Sequence, residues 1–183
     1  MKKNNISISL PDGKQKQFTK GVDGLLIAES ISKSLSKKAV AIEVNGIQKD
    51  LSDKLLNDAS VKIITLEDQA GLDIMRHTLT AQVLARAIKN IYPKSKLAIG
   101  PVIENGFYYD ILFEKQISVE ELPKIEKEMK KIINEYNEIY KELKTKDEAI
   151  KLFQKRKEKY KISLIKESSQ NKNFQIYYQK NTD

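Results

Sequence analysis

The sequence predicts an α+β protein built from two small units. Three observations carry that expectation. Short runs of alternating apolar and polar residues, such as ISISL (6–10), are bounded by turn chemistry such as Pro11-Asp12-Gly13 and Asn45-Gly46. One stretch of helical periodicity, 23–38, lies among those runs, and longer helical patterns begin only near Leu72. The polar segment LEDQAG (66–71) separates the two patterns and reads as the join.

In chain order, ISISL and KQKQF form a predicted β-hairpin across the PDG turn. Leu25, Ala28, Ile31 and Leu35 keep helical spacing, and Asp23 stands where an N-cap belongs. AVAIEV (39–44) is a strand, Asn45-Gly46 a two-residue turn, IQKDL a short extended return, and VKIIT (61–65) the last strand. A small sheet with one helix across a face is the ubiquitin-like, β-grasp solution. The expected boundaries are 1–66 for this unit, 67–71 for a linker and 72–183 for the second unit.

The second unit opens with an amphipathic helix through Leu72, Met75, Leu79, Val83, Ala87 and Ile91, ending before Pro93. LAIGPVIENGFYYDI (97–111) follows, free of Lys and Arg, and is expected to form two buried strands around tight bends. Ser118 and Glu121 make a capping-box pattern. Leu122, Ile125, Met129, Ile132, Tyr136, Ile139 and Leu143 then predict one long helix, with Pro123 fitting poorly at its start. A short helix at 147–153, a strand at YKISLI, a polar loop and a strand at FQIYY complete the expected order.

Composition narrows the chemistry. Among 183 residues, 40% are hydrophobic and 32% charged, lean for a core but outside the disordered profile. With no cysteine and one histidine, His77, the chain cannot form a disulfide or build a structural zinc site alone, so no metal ligand set is expected. No apolar run reaches membrane-spanning length, and ISISL cuts short any signal-like start after MKKNN, so a cytoplasmic protein without a membrane partner is expected. Neither a G-x-G-x-x-G nor a P-loop is present. The net charge of +8 suits a polyanionic partner such as RNA or a merely Lys-rich solvated surface. The densest basic run holds Lys151, Lys155, Arg156, Lys157, Lys159 and Lys161 against one acid, Glu158. On pattern alone the default readings are His77 as a partly buried helix histidine, Tyr109 as a packed strand residue and Lys161 as a solvated lysine.

SLPDGKQKQF, AVAIEVNGIQKDL and VKIITLED resemble the TGS module, a β-grasp domain of threonyl-tRNA synthetases, certain GTPases and stringent-response enzymes. LDIMRH followed by LAIGPVIENGFYYDI, with KEKYKISLI later, resembles the second N-terminal domain of bacterial threonyl-tRNA synthetase. The resemblance covers essentially the whole chain. It implies a TGS domain followed by an α+β editing domain, incomplete at its C-terminus, that in the family hydrolyses serine wrongly attached to threonine tRNA. Serine lacks one methyl of threonine, which a pocket discriminates by only about 1–3 kcal/mol, so a second sieve is needed.

The family's editing pocket uses H-x-x-x-H on the first helix, a lysine in Y-K-[IV], the second tyrosine of F-Y-Y-D and a later C-x-x-x-H. The resemblance maps His77 and Lys161 onto editing-site catalytic positions and Tyr109 onto a substrate-binding one. The second histidine is missing: counted from His77 its position holds Ala81, and counted back from Pro93 it holds Gln82. The final Cys–His pair would fall past Asp183, as would the class II core with its ATP, magnesium and zinc. No cofactor is therefore expected for this chain, and no aminoacylation. The implied partners are threonine tRNA, contacted through Lys151, Lys155, Arg156, Lys157 and Lys159, and the remaining domains of a homodimeric synthetase. A free-standing RNA- or ribosome-binding TGS protein and a trans-editing deacylase are the alternatives.

Overall fold

The structure, a computed structural model, describes residues 4–180; residues 1–3, in the MKKNN run, and 181–183 lie outside it. Contacts between Cα atoms divide the chain into two units, Met1–Met75 and Arg76–Asp183.

The first unit holds β1 (Asn5–Ser9), β2 (Gln15–Thr19), α1 (Gly24–Ile31), α2 (Lys33–Lys38), β3 (Ala39–Val44), β4 (Ile47–Lys49) and β5 (Ala59–Thr65). The strands form one mixed sheet in the order β2-β1-β5-β3-β4, with β1 and β5 parallel at its centre. Alternation puts Ile6 and Ile8 of β1 on the core face, where they meet Ile27 and Ala28 of α1, Ile42 and Val44 of β3, and Val61 and Ile63 of β5. Asp23 caps α1, its carboxylate accepting from Leu26 N (3.0 Å) and pairing with Lys54 (2.7 Å). The predicted single helix is two. Ser32 ends α1 in an extended conformation and caps α2, its hydroxyl accepting from Leu35 N. Asn45 and Gly46 both take positive φ (51° and 81°), the signature of a type I′ turn.

Of the residues expected to link the units, Glu67 and Asp68 lie in a turn, while Gln69–Gly71 open α3 (Gln69–Thr78). Asp68 accepts from Thr65 N (2.9 Å) and its carbonyl receives Leu72 N. A Cβ on Gly71 would overlap the Thr65 carbonyl, so glycine is required for that approach.

The helix started by α3 runs on through a π-helical segment (Leu79–Leu84) into α4 (Ala85–Ile91). β6 (Lys96–Leu97) pairs with β9 (Ile111–Leu112), and β7 (Val102–Ile103) with β8 (Gly106–Phe107), both antiparallel. The expectation of strands buried on both faces does not hold. Leu97 is buried against Ala85, Ile88 and Ile125, but Ile99 is 51% exposed and Ile103, Tyr108 and Leu112 are exposed too.

The Ser118–Glu121 capping box forms over a 3₁₀ turn (Val119–Glu121), which leaves Pro123 in the first turn of α5 (Leu122–Asn134), where proline needs no N–H. The long helix expected through Leu143 ends at Asn134. Tyr136 turns to positive φ (50°), and Ile139–Lys144 is strand β10, paired with β11 (Phe174–Gln179). The periodicity misled because Tyr136 and Leu143 face no core: they are 88% and 59% exposed. α6 (Lys146–Lys155) starts at a Thr145–Glu148 capping box. YKISLI, expected as a strand, lies in helix α7 (Lys159–Glu167), because Ile162 and Ile165, one turn apart, pack with Ala149, Phe153 and Ile176. No helix among the described residues is long and apolar enough to cross a membrane.

Candidate functional site

A cleft of about 890 Å³ in the second unit is walled by the π segment and α4, by the 97–109 stretch, by the α6–α7 corner and by β11. His77, Tyr109 and Lys161 all line it, each delivered by a different element. His77 is exposed at the end of α3, whereas Tyr109 and Lys161 are half-buried.

The π segment sets what faces the cleft from the helix. Ala85 N donates to the Thr80 carbonyl five residues back, so one turn holds an additional residue. Both Ala81 and Gln82 line the cleft. The Gln82 carbonyl accepts from Gln179 Nε2 (2.8 Å), and Gln179 Oε1 accepts from Arg86 Nη1 (2.8 Å), whose Nη2 pairs with Glu135 (2.8 Å). This chain of bonds fastens β11 to the helix.

Tyr109 is placed by Gly100. A Cβ there would sit 2.5 Å from Thr80 Cγ2 and 3.0 Å from Tyr109 Cδ2, so only glycine lets the ring lie against the buried Thr80. Burial, and secondarily the charge of Glu158, pushes the Tyr109 phenol above its ordinary value, keeping it a neutral donor. Lys161 lies over the Phe153 ring (5.5 Å) and makes no hydrogen bond or ion pair among the described residues. Burial pulls its pKa below the ordinary lysine value; Arg156 and Lys89 push the same way and Glu158 opposes them.

Glu158 is the residue that sequence reasoning missed. It is only 5% exposed, lines the cleft and pairs through Oε1 with Lys89, whose Nζ also donates to the Ser95 carbonyl (2.8 Å). Its signal in the sequence is that it is the single acid in the basic run 151–161. Of that run, Lys151, Lys155, Lys157 and Lys159 are exposed, while Arg156 turns inward onto the Tyr178 ring (5.5 Å) and lines the cleft. Among the described residues no group of three or more His, Cys, Asp or Glu could hold a metal ion.

Residues 6–65 match the TGS domain family, and this is the stretch that folds as the β-grasp sheet described above. Over nearly its whole length the chain is similar to threonine–tRNA ligases. It is 47% identical to that of Acetivibrio thermocellus over 174 residues, which is 95% of this chain and 27% of the relative. It is 44% identical to that of Bartonella tribocorum over 175 residues, covering 96% of this chain and 26% of the relative, and 42% identical to that of Brucella canis over 176. The chain thus spans about a quarter of the length of these relatives.

Proposed function

We propose that the chain serves a threonine–tRNA ligase as its tRNA-contacting and editing region, and that the cleft receives the seryl ester at the 3′ end of mischarged threonine tRNA. One observation carries the reading: His77, Tyr109 and Lys161, brought from α3, the 97–111 stretch and α7, line a single cleft. The cleft is large enough for a terminal adenosine and its amino acid.

In this reading a water oxygen attacks the ester carbonyl carbon while the His77 imidazole accepts its proton. The Lys161 ammonium and the Tyr109 hydroxyl stabilise the oxyanion that forms. The ribose oxygen leaves as the C–O bond breaks and takes up the proton, giving free serine and an intact tRNA end. Neither Ala81 nor Gln82 can exchange a proton at the second helix position, so hydrolysis by the chain itself is slow. The exposed Lys151, Lys155, Lys157 and Lys159 supply phosphate contacts to the tRNA.

The test is titration of the chain with seryl-adenosine in which an amide replaces the ester, followed by NMR. Saturable binding with shifts at His77, Tyr109 and Lys161 is expected. No binding, or shifts confined to other surfaces, overturns the reading.

A further inference from the structure

Glu158 occupies the N-cap of α7, yet its side chain makes no capping bond to the helix. A carboxylate there ordinarily gains by accepting from the first-turn N–H groups and by facing the positive end of the helix. Instead it is turned into the protein and buried. One oxygen meets Lys89; the other, Oε2, is out of solvent and has no hydrogen-bond partner. A buried acceptor left empty costs free energy, so its placement calls for a donor that can reach it. The cleft holds an unpaired one: Lys161, three residues on in the first turn of the same helix, the spacing at which side chains meet.

We infer that Glu158 is a positioning residue of the cleft, its free Oε2 being the acceptor that receives the Lys161 ammonium and holds that cation towards the ligand. Lys161 leaves the Phe153 ring for this acceptor by rotation of its own side chain, with no change in backbone. The charges that act on Lys161 are those of Glu158, Arg156 and Lys89, the last from α4. Without the carboxylate, a half-buried lysine under the influence of two other cations sheds its proton readily and ceases to be an oxyanion partner. Lys89 in turn shares Glu158 without neutralising both of its oxygens.

The inference rests on the proposed cleft chemistry only for what Lys161 does to a ligand. Its test needs no ligand, so the two can fail separately. In the ¹⁵N-labelled chain, the side-chain signal of Lys161, identified by its loss in K161R, is titrated with pH. Glu158→Gln should lower the Lys161 pKa by about one unit or more, while E158D, which keeps the charge, should restore most of it. A role confined to bracing Lys89 would leave the Lys161 titration unmoved, and equal titration in wild type and E158Q overturns the inference. Should E158Q not fold, the wild-type signal decides: an ammonium protected from solvent exchange supports the pairing, and one exchanging as freely as a surface lysine overturns it.

Discussion

The two units bury different things. The first folds one five-stranded sheet over one contiguous apolar cluster, from Ile6 to Ile63. Among the described residues, the second divides its apolar residues among three smaller clusters and buries Thr80, Ser95, Glu158 and Gln179 as well, whereas the first buries only Thr65 among polar residues. Burying polar groups forfeits hydrophobic gain unless each is paired, so the second unit trades cohesion for a polar-walled cleft. The difference teaches where to expect stability and where chemistry: the continuous core supports the fold, and the interrupted one leaves room for a ligand.

The largest test of that contrast is a cavity in each core. Ile8, fully buried at the centre of the sheet, should lose about 2–5 kcal/mol on replacement by alanine. Hydrogen exchange in Ile8→Ala should then rise together in β1, β2, β3 and β5, because they share one core. Ile165→Ala should cost nearer 2 kcal/mol and free exchange only in α6, α7 and β11, which share its cluster. Loss of protection in β1 alone, or loss throughout the second unit after I165A, would erase the distinction.

A smaller and more local effect is expected at the cleft wall. Gly100→Ala brings a methyl against Thr80 and the Tyr109 ring. Overpacking of this kind costs about 1–3 kcal/mol. Thermal unfolding should register the loss, and Tyr109 ring resonances should shift while those of the β1–β5 sheet stay fixed. An unchanged Tyr109 would mean that Gly100 does not shape the cleft.

The same contrast governs what the sequence disclosed. In the first unit β1 pairs with β2 and β3 with β4 across short turns, so alternation in ISISL and AVAIEV, and the Asn45-Gly46 pair, translate directly into β1, β3 and a hairpin turn. In the second unit local pattern and tertiary packing part company. The helical period of α5 continues by coincidence into Ile139 and Leu143, which pair with β11 instead. KISLI has strand-like composition, but the partners of Ile162 and Ile165 lie on α6 and β11, and they select a helix. The π segment has no local signature in the sequence, whose apolar period through Leu79, Val83 and Ala87 reads as an ordinary α-helix. His77, Tyr109 and Lys161 were singled out by resemblance, not by pattern. Burial of Glu158 depends on Lys89, on a helix far back in the chain, which no local reading reveals.

The smallest expected effect is the response of the two units to pH, which has the same sign in both but falls in an acid window for the first and an alkaline one for the second. In the first, the Thr65 backbone N–H and the Lys62 ammonium (3.1 Å) hold the Asp68 carboxyl below its ordinary value of 3.8. The folded state therefore binds its proton later than the unfolded chain. The stabilisation is complete above pH 3.8 and is lost as pH falls through the depressed folded value. In the second unit the Lys161 pKa lies below 10.5, so between the two values the unfolded chain holds a proton that the folded state has released, and stability rises with pH across that window. Asp68→Asn should narrow the gap to wild type as the solution is made more acid than pH 3.8, and K161M should lose the alkaline rise. Each is read from unit-resolved hydrogen exchange or melting at a series of pH values. A D68N difference that stays constant through the acid range would show that the Thr65–Asp68 bond, which closes the turn ahead of α3, contributes nothing through its charge.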